Sequence, residues 1–200
     1  MHWFIVNWME GLLVENREKT LKNSTVLDIV QVGLMAAIVF VATSIIHIQT
    51  FMGVMHAGDS MVFLAAILLG KKKAAWASAI GMALFDVTHG YLTWAPFTFI
   101  IKGIMAYIAA SIVYGSNYKA EKLKNNLIAF VAAGIFMIAA YYLGGAIILS
   151  FLQPEKQAFS QALILSAKDI PTNIAQVVLG ILIAVPLLGA LRRAGIKNMK

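Results

Sequence analysis

The chain has 200 residues, of which 60% are hydrophobic and only 12% charged. An average soluble domain is about half apolar and about a quarter charged, so a soluble core of this size cannot hide so much apolar surface, whereas a bilayer can accept it. There is no cysteine, which excludes disulfides, thiolate metal sites and thiol catalysis. The formal charge of +7 would suit a nucleic acid partner, but the basic residues sit in short clusters between apolar runs, the pattern of a multispanning membrane protein.

In chain order, residues 1–25 read as an N-terminal extension. Residues 1–13 are apolar and aromatic with Glu10 among them, and they lack the basic leading region and small-residue cleavage site of a signal peptide. Six apolar stretches follow, over about 28–48, 60–70, 74–87, 96–114, 127–152 and 162–191. A helix needs about 20 residues to cross the hydrocarbon, so the second and third are short and need tilt, flanking residues or local thinning.

The basic clusters set the topology. Arg17, Lys19 and Lys22 precede the first stretch, and Lys71, Lys72 and Lys73 separate the second from the third. Lys119, Lys122 and Lys124 separate the fourth from the fifth, and Arg192, Arg193, Lys197 and Lys200 follow the sixth. The alternate connections hold His47, His56, Asp59, His89, Trp94, Glu155 and one lysine, Lys156. The positive-inside rule then gives an all-α integral membrane protein with six transmembrane helices and both termini cytoplasmic. The membrane domain covers 26–193, and a basic cytoplasmic tail covers 194–200.

An ionisable residue within a span is a functional candidate, because charge in hydrocarbon is costly. Asp86, Lys102, Lys168 and Asp169 meet that description, all in the outer half of this topology. Asp169, Asn173 and Gln176 follow an i, i+4, i+7 pattern and share one helix face. Trp94, Thr98 and Lys102 recur every four residues, and Asp86 and His89 lie three apart. These groups are expected to converge on an outward-facing polar pocket with an aromatic wall, suited to a small, flat, hydrogen-bonding ligand. The plainer expectation pairs Lys102 with Asp86 or Asp169 as structural glue. Tyr141 and Tyr142 read first as packing or interface anchors, and the scattered histidines as loop residues without metal-ligand spacing.

Small residues carry a second expectation. Gly33 and Ala37 lie four apart in the first stretch, a spacing that lets helices approach closely, either within this chain or against another membrane subunit. No phosphate-binding loop, nucleophile elbow or metalloprotease motif is present, so energy for any transport must come from an ion gradient or from partner subunits.

The stretches GLMAAIVFVATSI (33–45), GDSMVFLAAILLGKKKAAWASAIGMALFDVTHGY (58–91) and WAPFTFIIKGIMAYIAA (94–110) resemble the substrate-binding S components of energy-coupling factor (ECF) transporters. The resemblance covers roughly 26–193 and leans toward a branch loosely described as riboflavin-type, which includes components assigned to hydroxymethylpyrimidine and to pyridoxine-like vitamers. It implies a non-enzymatic subunit of the bacterial plasma membrane with no cofactor and no bound metal. Such a subunit captures a vitamin outside, then docks on a transmembrane coupling subunit (the T component) driven by two cytoplasmic ATPases. The small-residue docking motif of the family falls on Gly33 and Ala37. Pockets of the family fall, by segment position, on Trp94, Thr98, Lys102, Tyr141, Asp169 and Asn173. Asp86 and His89 join them from the reading of the residues. Two alternatives stand beside this one: an S component for riboflavin or another vitamin, and a stand-alone secondary transporter using Asp86, Asp169 and Lys102 as a proton relay. An intramembrane enzyme would need a nucleophile–base pair that the chain does not display.

Overall fold

The computed structural model describes residues 25–51, 53–115 and 120–195. The expected extension (apart from Thr25), the basic residues Arg17, Lys19, Lys22, Lys119, Lys197 and Lys200, and most of the basic tail lie outside the described residues.

The helices follow the apolar stretches. They are α1 (Thr25–Ile45), α2 (Asp59–Leu69), α3 (Lys71–Thr88), α4 (Ala95–Val113), α5 (Leu123–Ile147), α6 (Phe159–Ser166) and α7 (Ile170–Arg193). A π-helical turn at Ile148–Leu152 extends α5. A single 3₁₀ turn, Ala167–Asp169, joins α6 to α7, so the two form one rod of 35 residues. Four rods are long and apolar enough to cross a membrane: α1, α4, α5 with its extension, and α6–α7.

Between α1 and α2 the chain forms a small antiparallel hairpin, β1 (His47–Gln49) with β2 (Val54–His56), in which His47 faces His56. The sequence reading has only a loop there.

Helix α2 sits at the centre. Ten of its eleven residues are buried, which is why it is apolar on every side. It packs on α3, α4 and α7. At about 1.5 Å per residue it is roughly 16 Å long, about half the hydrocarbon thickness. It starts part-way across the bundle and ends at Gly70, whose φ of 73° is open to glycine and reverses the chain in one residue. Lys71, Lys72 and Lys73, expected in a loop, therefore form the first turn of α3.

Close helix crossings rest on glycine. A Cβ on Gly81 of α3 would lie 2.5 Å from the Ala36 carbonyl oxygen of α1, and one on Gly134 of α5 would lie 2.5 Å from Val177 of α7. Small residues of this kind let backbones meet where lipid gives no hydrophobic push between helices. Gly33 behaves differently: nothing lies within 4 Å of its Cβ position. Gly33 and Ala37 are both exposed, so this pair does not pack within the chain.

The two ends of the bundle differ in charge. Lys71–Lys73, Lys122, Lys124, Arg192 and Arg193 gather at one end, where α3, α5 and α7 begin, begin and finish respectively. There Lys73 Nζ donates to Asp28 Oδ1 (2.9 Å) and Gln31 Oε1 (2.7 Å), tying α3 to α1. Asn126 Nδ2 donates to the Ala120 carbonyl at 2.9 Å, and Arg192 donates to the same oxygen. The opposite end carries the hairpin, the α3–α4 turn and the π-helical turn.

Candidate functional site

A cavity opens at the end away from the basic clusters. Its non-atom space is about 550 Å³, mouth included. The hairpin supplies Thr50, Gly53, Val54 and His56; the α3 end and α3–α4 turn supply Asp86 and Tyr91; the start of α4 supplies Trp94 and Thr98. Tyr141 and Gly145 come from the end of α5, and Ser166, Asp169, Asn173 and Gln176 from the α6–α7 rod.

Local sequence explains why these side chains meet. Pro96 lies in the first turn of α4, where its missing N–H costs nothing, so the helix starts just after Trp94 and presents Trp94 and Thr98 one turn apart. Pro171 does the same for α7 after Asp169. Gly144 leaves room for the aromatic wall, since a Cβ there would sit 3.3 Å from Phe97 and 3.6 Å from Trp94. Trp94 and Tyr141 have ring centroids 5.5 Å apart. The Tyr141 hydroxyl donates to Thr98 Oγ1 at 3.2 Å.

Below the cavity lies a buried polar network. Lys102 Nζ pairs with Asp59 Oδ1, and both side chains are fully buried. Gln176 Nε2 donates to Asp59 Oδ2 at 2.9 Å, and Gln176 Oε1 accepts from the His56 backbone N–H at 3.2 Å. The ammonium also stands 5.3 Å from the centroid of Tyr141. Asp59 is the first residue of α2, where the helix dipole favours an anion. The network links α2, α4, α7 and the hairpin through one carboxylate.

Six of the eight expected site residues line the cavity: Asp86, Trp94, Thr98, Tyr141, Asp169 and Asn173. Two do not. Lys102 lies deeper and is committed to Asp59, not to Asp86 or Asp169. His89 caps the end of α3, stacking on Phe85 at 4.1 Å with its Nδ1 3.0 Å from the Phe85 carbonyl. Asp59, expected in an outer loop, is buried in the bundle because α2 is too short to carry it to the surface. Not expected from the sequence are Thr50, Gly53, Val54, Tyr91, Gly145 and Ser166, none of which belongs to a polar face or charge pattern that would single it out, and His56, expected as a loop residue, lines the cavity as well.

Three cavity-lining polar atoms have no hydrogen-bond partner among the described residues: His56 Nδ1, Asp86 Oδ2 and Ser166 Oγ. Burial, with the Lys102 ammonium nearby, pushes the His56 imidazole down to about 3, so the ring is neutral at pH 7. Among the described residues no cluster of three or more histidine or acidic groups could hold a metal ion.

A family model for the S component of ECF-type riboflavin transporters matches residues 23–193. The chain belongs to this family. A further similarity joins this S component to an uncharacterized protein in the gap 3′ region of Pyrococcus woesei, at 36% identity over 97 residues. That alignment covers 48% of the S component and 62% of the relative, so the chain spans less than two thirds of the relative's length. The relative carries no functional description, and the match adds kinship without adding chemistry.

Proposed function

We propose that this S component is the vitamin-capturing subunit of an ECF-type importer in the bacterial plasma membrane. In this reading it crosses the membrane six times with both termini cytoplasmic. It binds its vitamin from outside and releases it inside after docking on the T component, which two cytoplasmic ATPases drive. The observation that carries the reading is the placement of the cavity. It lies at the end opposite Lys71–Lys73, Lys122, Lys124, Arg192 and Arg193, which the positive-inside rule assigns to the cytoplasm.

The preferred ligand is a small pyridine or pyrimidine vitamer, pyridoxine or hydroxymethylpyrimidine. Trp94 offers a face for the ring, Asp169 accepts from a ring nitrogen or amine, and Asn173 supplies a paired donor and acceptor. Thr98 and Tyr141 complete the wall from α4 and α5. A second reading is riboflavin, favoured by the description of the matched family. The proton-relay reading loses support because Lys102 is neutralised by Asp59 and stands off the cavity wall.

Docking is assigned to the outward face of α1. Gly33 and Ala37 are exposed between large exposed apolar side chains, Leu34, Ile38 and Val41 among them, so a partner helix has a smooth approach.

Calorimetric titration of the purified, detergent-solubilised chain with hydroxymethylpyrimidine, pyridoxine and riboflavin tests the reading. Saturable binding of one of the first two supports the vitamer. Binding of riboflavin alone keeps the S-component reading and replaces the ligand. Binding of none, by a folded chain, removes the reading.

A further inference from the structure

Buried polar atoms in native proteins are hydrogen-bonded in the great majority of cases, and an orphan asks for an explanation. Asp86, His56 and Ser166 are 4%, 5% and 3% exposed, and each carries one orphan atom. They come from three separate elements, α3, β2 and α6, yet all three line the same cavity. None of the three atoms has a hydrogen-bond partner among the described residues, whereas Asp59, Lys102 and Gln176 are bonded to one another in the network beneath.

The chemistry of the three atoms differs. A carboxylate oxygen accepts only; a serine hydroxyl donates or accepts; a neutral imidazole nitrogen does one or the other according to tautomer. The fixed demand is therefore at Asp86, where the occupant must donate. Charge adds a second constraint. The wall carries two carboxyl groups, Asp86 and Asp169, and no lysine or arginine. Lys102 faces Asp59 from behind the wall, and Lys168, beside Asp169 on the turn before α7, stands over the Phe51 ring at 4.6 Å without lining the cavity.

We propose that Asp86, His56 and Ser166 form the edge that selects the ligand: they seat an N–H or O–H donor edge on Asp86 and exclude the phosphorylated forms of the same vitamin. This deepens, and rests on, the reading that the cavity binds a vitamin. A phosphomonoester replaces one hydroxyl donor by acceptor oxygens and adds close to two negative charges, which meet two carboxyl groups and no lysine or arginine in the cavity wall. His56 is positioned for this work by its own backbone, whose N–H is held by Gln176, and by its ring, which packs on Phe85 at 5.9 Å.

The test uses three matched pairs: hydroxymethylpyrimidine, pyridoxine and riboflavin, each against its own phosphate ester, titrated into the full purified chain. The free vitamin of the binding pair is expected to win by at least about 100-fold, since like charges brought together at a desolvated site cost several kcal/mol. Asp86→Asn keeps the shape but makes the acceptor neutral and adds a donor; it is expected to weaken the free vitamin about 10- to 100-fold and to narrow the gap to the phosphate. Ser166→Ala and His56→Phe each remove one orphan and are expected to lose affinity by a smaller factor. Each variant is compared with wild type by gel-filtration profile and melting temperature, so a folding defect is seen as such. Equal or tighter binding of the phosphate overturns the proposal while leaving the vitamin reading intact. So does an Asp86→Asn variant within twofold of wild type, which would mark the orphans as a water-filled corner. Failure of all three pairs to bind wild-type protein overturns the vitamin reading and this proposal together.

Discussion

Removing the charge of Lys102 while keeping its length, by Lys102→Met, leaves the Asp59 carboxylate buried with Gln176 as its remaining partner. Both side chains are fully buried, so water does not replace the lost ammonium. Breaking a buried pair from one side costs about 3–5 kcal/mol. For a chain of 150–250 residues each kcal/mol lowers the melting temperature by about 2–4 °C, which gives a fall of roughly 6–20 °C. The double variant Asp59→Leu with Lys102→Met removes both charges and is expected to recover most of that loss, because well-packed apolar replacements of buried pairs are often neutral. Gln176 would then lose one partner and keep the His56 N–H. Thermal unfolding in detergent, followed by tryptophan fluorescence, reads wild type, each of the two single variants Lys102→Met and Asp59→Leu, and the double variant. A single variant that melts within about 2 °C of wild type would refute the reasoning. So would a double variant that loses the sum of two singles, since the coupling between neighbours would then be absent.

Glycine gives a paired prediction. Gly81→Ala should destabilise by about 1–3 kcal/mol through overpacking against the α1 backbone, whereas Gly33→Ala should leave melting unchanged because its Cβ site is open; thermal shifts compare the two. Gly33→Trp or Ala37→Trp should keep vitamin binding by the solitary chain and abolish co-purification with the T component, and normal yields of complex from both would move the docking face elsewhere. His56 sets a pH dependence. Its ring stays neutral in the fold down to about pH 3, while the unfolded chain takes up a proton near pH 6.5, so stability falls as pH drops through that window. The slope approaches about 1.4 kcal/mol per pH unit below pH 6.5, and melting curves between pH 7.5 and pH 5 should be flatter for His56→Gln.

The helices were legible in the sequence because hydropathy is a bulk signal: each of the first five apolar stretches holds one α-helix, and the sixth holds α6 and α7 joined by a 3₁₀ turn. The polar faces were legible for the same geometric reason, and Asp169, Asn173 and Gln176 line one cavity as their spacing predicts. Partner choice was not. Lys102 could be matched to any nearby carboxylate, and Asp59 read as an outer-loop residue because nothing local says that α2 is an enclosed half-length helix whose first residue lies inside the bundle. The hairpin was equally hidden. Its strands are three residues each, too short for an alternating pattern, and the bond that ties β2 to α7 comes from Gln176, 120 residues away. His89 misled for the opposite reason: it neighbours Asp86 in sequence, but the end of α3 turns its ring onto Phe85.

The most direct test of vitamin capture is mass spectrometry of the denatured extract from detergent-purified chain, grown in vitamin-rich medium, beside a Trp94→Ala variant. A pyridoxine-type or hydroxymethylpyrimidine-type molecule at near-stoichiometric amount in wild type, and its loss from the variant, is the predicted result. An extract with no vitamin in either protein, from folded material, would contradict the account.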